Sequence, residues 1–148
     1  MGVEIERKFL VDKKKWDAVK VKNGVEIIQG YLHKEPKLTV RIRIKGEDGF
    51  ITLKGKTVGI SRSEFEYRIP KAEAHEMIKT FCDKFIHKTR FTLTLGNKVW
   101  EIDEFISPNK GLVLAEVELT NEQEEIDLPN WVTKEVSDNP NYFNANML

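Results

Sequence analysis

The sequence predicts an α+β domain dominated by one antiparallel β-sheet with flanking helices. Apolar and charged residues alternate along several segments, which is the period of a strand with one buried face. Turn signals such as Asp48-Gly49 and Gly96-Asn97 separate these segments at short intervals, as in antiparallel hairpins. Two stretches, 13–20 and 71–85, have the apolar spacing of amphipathic helices.

The composition bounds the class of protein. A chain of 148 residues fits one domain, 1–148. Lys plus Arg equals Asp plus Glu, at 24 each, so no net charge draws the chain to nucleic acid or an anionic membrane. No apolar run approaches the roughly 18 residues of a membrane span, and the N-terminus lacks a signal-peptide core. The single Cys82 fits a reducing compartment. We therefore expect a soluble, cytoplasmic protein without nucleic-acid or membrane partners.

The first predicted strand, 3–10, shows the pattern that the rest of the chain repeats. Glu4, Glu6 and Lys8 fall at every second position and would form one charged row. Ile5 and Phe9 would line the opposite, apolar face. Charged residues are depleted in strands, so such a row is unusual. Further strands of this kind are predicted at 25–33, 38–46, 50–56, 61–69, 87–95, 99–105 and 112–119.

The remaining elements are predicted from local signals. Asp12 is a candidate N-cap for the first helix, and Pro70 suits the first turn of the second. Gly30 is a candidate bulge within the second strand. The acidic segment that starts at Asn121 is predicted as a short helix, and the Asn- and Pro-rich tail after it as short helical pieces.

The charged rows are segregated by sign. The purely basic pairs are Arg41/Arg43, Lys54/Lys56 and Lys88/Arg90. The purely acidic pairs are Glu4/Glu6, Glu101/Asp103 and Glu116/Glu118. Two arrangements fit this pattern. An open sheet would expose the charged face, where cross-strand pairs each add a few tenths of a kcal/mol. A closed barrel of about eight strands would instead bring the rows together in one interior.

A charged interior of this kind would need ligands. Clustered carboxylates repel each other and offer hard oxygen ligands to Mg²⁺ or Mn²⁺. Clustered Arg and Lys need anions, and Arg matches phosphate oxygens bidentately. A metal-bound polyphosphate would satisfy both groups. The chemistry implied is phosphoryl transfer to water, in which positioning and charge neutralisation do most of the catalysis.

At this point the residues resemble a known family. The segment VEIERKFLV resembles the EXEXK strand of the CYTH domain, the triphosphate tunnel metalloenzymes. The resemblance continues in order through QGYL, the RIR strand, TLKGK, SRSEFEYRI, HKTRF, WEIDEF, LAEVEL and the tail KEVSDNPNYFNANM. It covers essentially the whole chain. It implies a closed eight-stranded antiparallel β-barrel, a tunnel that binds a triphosphate group and a divalent metal.

The resemblance also implies roles for individual residues. The metal-side carboxylates would be Glu4, Glu6, Glu116 and Glu118, with Glu64 and Asp103 assisting directly or through waters. The phosphate binders would be Lys8, Arg41, Arg43, Lys54, Lys88, Arg90 and Lys134, the last in a tail with a plug helix. Tyr31 matches a tyrosine that acts in catalysis with the first-strand lysine, here Lys8. That pair could orient or deprotonate a water, and a metal-bound water is an equally good source of the nucleophile.

Several alternatives stay open from the sequence. The expected function is hydrolysis of inorganic triphosphate with Mg²⁺ or Mn²⁺. The others are adenylate cyclase activity, hydrolysis of nucleoside or thiamine triphosphate, and phosphate binding without turnover. Arg62, Glu66 and Arg68 could bridge neighbours at the rim, and Lys45 and Lys56 could be solvated. Outward apolar strand faces leave a homodimer open.

Overall fold

The computed structural model describes residues 2–148, in which the chain forms nine strands, two α-helices and two 3₁₀ segments. The strands are β1 (Gly2–Val11), β2 (Val25–Glu35), β3 (Leu38–Lys45), β4 (Asp48–Gly55), β5 (Ser61–Ile69), β6 (Ile86–Leu95), β7 (Lys98–Ser107), β8 (Val113–Glu118) and β9 (Val132–Glu135). The helices are α1 (Lys13–Val19) and α2 (Lys71–Phe81), and the 3₁₀ segments are Pro140–Tyr142 and Asn144–Met147.

Eight of the strands form a closed antiparallel barrel. Their order is β5-β4-β3-β2-β6-β7-β8-β1, and a further pairing between β1 and β5 closes the sheet. That pairing uses only the first half of β1, with Gly2 opposite Glu64 and Ile5 opposite Ser61. The short strand β9 pairs with the second half of β1. The predicted closed eight-stranded barrel with flanking helices is therefore confirmed, and the open sheet is excluded.

The larger apolar core lies outside the barrel wall and anchors α1. Trp16 of α1 packs edge-on against Trp131 and Phe91, with ring centroids 5.3 and 5.9 Å apart. Trp100 of β7 lies 5.6 Å from Trp131. The indole Nε1 of Trp16 donates to Glu104 Oε2 at 2.9 Å, so the only polar atom of this ring is satisfied. This core packs against the outer faces of β1, β6, β7 and β8, whose inner faces carry acidic and basic residues, and it holds these strands in place.

A second apolar layer lies between α2 and the outer faces of β2, β3 and β4. Ala74 and Ile78 of the helix pack on Ile42 and Ile44 of β3.

The structure has two α-helices within residues 2–148, and neither α1 nor α2 is long and apolar enough to cross a membrane.

The second helix is shorter than the sequence predicts. It ends at Phe81, because Cys82 has an extended backbone and turns the chain toward β2. Phe81 and Phe85, which would extend the apolar stripe, are 66% and 47% exposed. Gly30 of β2 leaves room for the Cys82 side chain, since a Cβ at position 30 would lie 2.6 Å from Cys82 Sγ.

Three further local predictions are wrong. The bulge in β2 lies between Tyr31 and His33 rather than at Gly30. The acidic segment is a turn, since the side chain of Asn121 accepts from the backbone N–H of Gln123 and competes with helix formation. The tail contains the strand β9 before its two 3₁₀ segments.

The contact at Gly30 gives a stability test. Gly30→Ala should destabilise the fold by about 1–3 kcal/mol, because the new methyl group overlaps Cys82 Sγ. The same change in a Cys82→Ala background should cost less, since the closest atom is gone. Urea unfolding of the two single variants and the double variant measures this coupling. Equal costs in both backgrounds would contradict the packing described here.

Candidate functional site

The barrel encloses a cavity of about 740 Å³ that is lined by the charged rows. The strand alternation explains this, since every second side chain of a closed sheet points inward. The sequence-predicted residues in the cavity wall are Glu4, Glu6, Lys8, Tyr31, Arg41, Arg43, Lys54, Glu64, Lys88, Arg90, Glu116 and Glu118. Asp103 and Lys134 are not part of the wall.

The basic part of the wall carries more positive charge than its surroundings neutralise. Arg41, Arg43, Lys88 and Arg90 are all at least nine-tenths buried. Burial, and then repulsion from Arg41 and Arg90, lowers the pKa of Arg43 to about 9. Burial lowers the pKa of Lys88 to about 7. The buried Nε of Arg41 has no hydrogen-bond partner within residues 2–148. Such groups are costly unless an anion pairs with them.

The acidic part of the wall shows the opposite imbalance. Burial, and then repulsion from Glu116 and Glu4, raises the pKa of Glu6 well above its ordinary value. Glu4 is better compensated, because Lys54 Nζ lies 3.0 Å from its carboxylate. Although burial raises the pKa of Glu4, that ammonium brings the net shift below the ordinary value. Negative charge is therefore least neutralised around Glu6, where a cation would be stabilised.

Lys8 lies where the acidic strands meet. In the register of β1 and β8, Lys8 is opposite Glu116 and Glu6 is opposite Glu118. Lys8 Nζ lies 3.7 Å from Glu116 Oε1. Burial alone would raise the pKa of Glu116, but the charges of Lys8 and Arg90 lower it.

Asp103 anchors the basic wall instead of facing the cavity. Its carboxylate lies 2.7 Å from Lys88 Nζ and accepts two hydrogen bonds from Arg90, at 2.8 and 2.9 Å. The side chain is 2% exposed. Burial raises the pKa of Asp103, but the two cations outweigh that effect and hold it far below its usual range. Its oxygens are used by basic side chains, so the structure does not bring Asp103 to the expected metal side.

The C-terminal tail closes one end of the tunnel, at which β1 and β7 end and β6 and β8 begin. Val136 packs there with Ile86, Phe105 and Leu114. Beyond it, the carbonyl oxygen of Tyr142 accepts from Lys8 Nζ at 3.0 Å, and Asn144 Oδ1 accepts from Lys88 Nζ at 2.8 Å. The tail thus places a neutral oxygen atom against each of these two lysines.

The expected plug is built differently from the sequence prediction. Lys134 is exposed on β9, which pairs with the edge of β1, so its ammonium is not brought to the tunnel. The part of the tail that lines the cavity consists of Ser137, Pro140, Phe143, Asn144, Ala145 and Asn146. These residues lie in 3₁₀ segments and turns rather than in an α-helix.

Lys8 and Tyr31 both line the cavity, but no hydrogen bond within residues 2–148 joins them. The Tyr31 hydroxyl instead accepts from Gln29 Nε2 at 2.9 Å. Any cooperation between the two residues would therefore act through a ligand or water lying between them.

Several cavity residues were missed or left open by the sequence analysis. Phe50 lines the cavity and has the inward parity of its strand, which could have identified it, but it is uncharged. Gln29 also has the inward parity of its strand, but it is fully buried beside Arg43 and is not part of the cavity wall. Lys34 faces the cavity mouth because the bulge after Tyr31 shifts the alternation by one residue. Of the residues that the sequence leaves open, Lys45, Lys56, Arg62 and Glu66 line the cavity, and Glu101 of the acidic pair on β7 lines it as well. Arg68 does not, and pairs with Asp48 on the surface.

The carboxylates suit a divalent metal only in combination with a ligand. Within residues 2–148, no group of three or more His, Cys, Asp or Glu side chains is arranged to hold a metal ion by itself. Carboxylate oxygens are nonetheless the donors that Mg²⁺ and Mn²⁺ prefer. The raised pKa of Glu6 reflects burial and repulsion from Glu116 and Glu4, which a bound cation would relieve. Phosphate oxygens from a ligand on the basic wall could supply the further donors.

Comparison with known proteins identifies the family. The CYTH domain profile matches residues 2–146. The chain belongs to the CYTH family. It is 41% identical to the inorganic triphosphatase of Acetivibrio thermocellus, over all of this chain and 94% of that protein. The CYTH barrel also resembles the crystal structure of the inorganic triphosphatase NE1496, with a TM-score of 0.64 and 28% identity over 97% and 96% of the two chains. A similar fold, with a TM-score of 0.59 and 20% identity over 80% of each chain, occurs in the PH1012 protein of Pyrococcus horikoshii.

The anchoring role of Asp103 gives a second test. Asp103→Asn should destabilise the fold by about 3–5 kcal/mol at pH 7, because two buried cations lose their counter-charge. Since its folded pKa is lowered, this contribution is present above the ordinary value of 3.8 and is lost as the pH falls below it. The difference from wild type should thus be smaller at pH 3 than at pH 5, where Asp103 is still ionised in the unfolded chain.

Urea unfolding at each of these pH values measures the difference. Asp17→Asn, on the exposed face of α1, is the matched control and should change stability by less than about 0.5 kcal/mol. A similar small effect for Asp103→Asn would show that its ion pairs do not hold the basic wall.

Proposed function

We propose that this protein hydrolyses inorganic triphosphate in its tunnel, with Mg²⁺ or Mn²⁺ as cofactor. The observation that carries the proposal is the opposed imbalance of charge, with buried and only partly neutralised cations on one wall and repelling carboxylates on the other. A short, highly charged anion with a bound divalent cation neutralises both. The 41% identity to an inorganic triphosphatase supports the same substrate.

The basic residues would bind the phosphates. Arg41 has a buried Nε–H without a partner among residues 2–148, and Arg43 and Arg90 present further guanidinium donors that match phosphate oxygens. Lys88 and Lys54 add compact positive charges. Because these side chains are buried and their neighbours fix them, little ordering would be needed when the anion enters.

The acidic residues would hold the metal. Triphosphatases of the CYTH family are in general metal-dependent. In this chain Glu4, Glu6, Glu116 and Glu118 would be the ligands, with Glu64 nearby beside Lys54. When bound, the metal would neutralise phosphate charge and lower the pKa of a coordinated water.

Lys8 and Tyr31 would act on the reacting groups. Lys8 lies between the acidic wall and the tail, where its ammonium can neutralise charge that develops on a phosphate oxygen. Tyr31 presents a hydroxyl to the same cavity, where it can donate to a phosphate oxygen or orient water. The remaining expectations, a cytoplasmic location and a homodimer, stay predictions.

The role of Lys8 can be tested directly. Lys8→Ala should lower orthophosphate release from tripolyphosphate roughly 100-fold or more, the scale for loss of one preorganised electrostatic contact. A colorimetric phosphate assay with Mg²⁺ or Mn²⁺ measures the rate, and circular dichroism checks the fold. Lys14→Ala, exposed on α1, is the matched control and should retain wild-type activity. Full activity of Lys8→Ala would remove this residue from the mechanism.

The substrate class can be separated from its alternatives in one panel. Tripolyphosphate should give orthophosphate and pyrophosphate with a higher kcat/KM than ATP or thiamine triphosphate, as the 41% identity to an inorganic triphosphatase suggests. Chromatography of the ATP reaction distinguishes orthophosphate from cyclic AMP. Cyclic AMP as the main product would favour a cyclase, and tight metal-dependent binding without turnover would favour a binding protein.

A further inference from the structure

Gln29 is an uncharged, fully buried side chain beside Arg43 of the basic wall. It is 0% exposed and lies on β2 directly opposite Arg43 of β3. Its Oε1 accepts a hydrogen bond from Arg43 Nε at 2.8 Å. Its Nε2 donates to the Tyr31 hydroxyl at 2.9 Å and to Asn144 Oδ1 at 3.4 Å. One side-chain amide therefore joins a phosphate-binding arginine, the tunnel tyrosine and the tail.

The orientation of this amide is fixed by chemistry. Arginine has only donors, so the atom of Gln29 that faces Arg43 must be the oxygen. The amide nitrogen must then face Tyr31 and Asn144, and a flipped amide would place two donors against each other at Arg43. The contact with Tyr31 consequently has a definite direction, from the amide N–H to the phenolic oxygen.

This direction leaves the Tyr31 hydroxyl hydrogen available. The phenolic oxygen already accepts from Gln29, and within residues 2–148 the hydroxyl donates to no protein atom. Because Tyr31 lines the cavity, a ligand or water there is the acceptor that remains. Gln29 thus sets Tyr31 as a donor toward the cavity.

The other end of the amide has a similar effect on Arg43. With Nε held by Gln29, the terminal nitrogens of the guanidinium keep their N–H groups for a ligand. Burial and two neighbouring arginines disfavour the charged form of this side chain, so a neutral acceptor at a fixed position stabilises it without consuming its charge.

We propose that Gln29 is a positioning residue for the triphosphatase reaction, whose amide holds Arg43 in its phosphate-binding orientation and directs the hydroxyl hydrogen of Tyr31 to the substrate. This inference rests on the proposed hydrolysis of triphosphate for its kinetic part. Its binding part, through Arg43, can be tested without turnover.

The kinetic test uses two changes of Gln29. Gln29→Leu removes both contacts and should lower kcat for tripolyphosphate roughly tenfold, the scale of one hydrogen bond. In a Tyr31→Phe background the same change should cost less than roughly threefold, because the hydrogen that it directs is absent. Gln29→Glu keeps an acceptor for Arg43 but accepts the Tyr31 hydrogen itself, and should lower kcat to the level of Tyr31→Phe. Gln123→Leu, in an exposed turn, is the matched control and should keep the wild-type kcat.

The binding test uses tripolyphosphate in metal-free buffer, followed by isothermal titration calorimetry. Gln29→Leu should weaken binding roughly tenfold when Arg43 is present, and less than roughly twofold in an Arg43→Ala background. Melting curves of all variants verify that they are folded. If Gln29 had only a structural role, Gln29→Leu would lower kcat by the same factor with and without Tyr31, and would weaken binding by the same factor with and without Arg43. Equal factors in either of these two double-mutant cycles would overturn the proposal.

The two proposals fail in different ways. A wild-type protein that binds tripolyphosphate but releases no phosphate would refute the hydrolase, while the binding cycle would still decide the role of Gln29 toward Arg43. A wild-type protein that hydrolyses tripolyphosphate, with a kcat unchanged by Gln29→Leu or Gln29→Glu, would refute the positioning role alone.

Discussion

The structure depends on burying charges of both signs inside a closed sheet. A lone buried charge costs several kcal/mol, so each group in the tunnel must have a partner from the protein or from a ligand. Asp103 supplies that partner for Lys88 and Arg90, and Lys54 supplies it for Glu4. The groups that remain poorly compensated are Glu6 on one side and Arg43 on the other, whereas Arg41 has Glu66 at 3.4 Å. The same set of side chains therefore determines both the stability of the barrel and the charges that a ligand in the tunnel would have to carry.

The barrel has its charged side chains inside and its apolar side chains outside, the reverse of an ordinary soluble domain. Its apolar residues face away from the sheet axis and need α1, α2 and the tryptophan cluster to cover them. This arrangement explains why two helices of only 7 and 11 residues suffice, since each covers one sector of the outer wall. It also explains why β9 is needed, because β5 leaves the second half of β1 without a partner on that edge.

Much of the fold and site could be predicted from the period of two in the sequence. Alternation identified the strands, and the segregated signs identified most of the cavity wall. The errors have physical causes. Asp103 has the parity of a cavity residue, but its position opposite Arg90 makes it a buried counter-ion. Lys134 was assigned by resemblance to a plug helix, whereas the chain there is an edge strand. Gln29 and the tail carry no charge signal, and their roles depend on long-range contacts that no local pattern reveals.

The three tryptophans of the chain, Trp16, Trp100 and Trp131, lie in one cluster outside the barrel wall. The aromatic residues that line the tunnel are instead Tyr31, Phe50 and Phe143. Tryptophan fluorescence will consequently report the docking of α1 and will not change when an anion binds in the tunnel. A fluorescence titration of ligand binding therefore needs a probe inside the tunnel. Because the tryptophans lie away from the tunnel, their fluorescence can be used to follow unfolding of cavity variants without interference from the ligand.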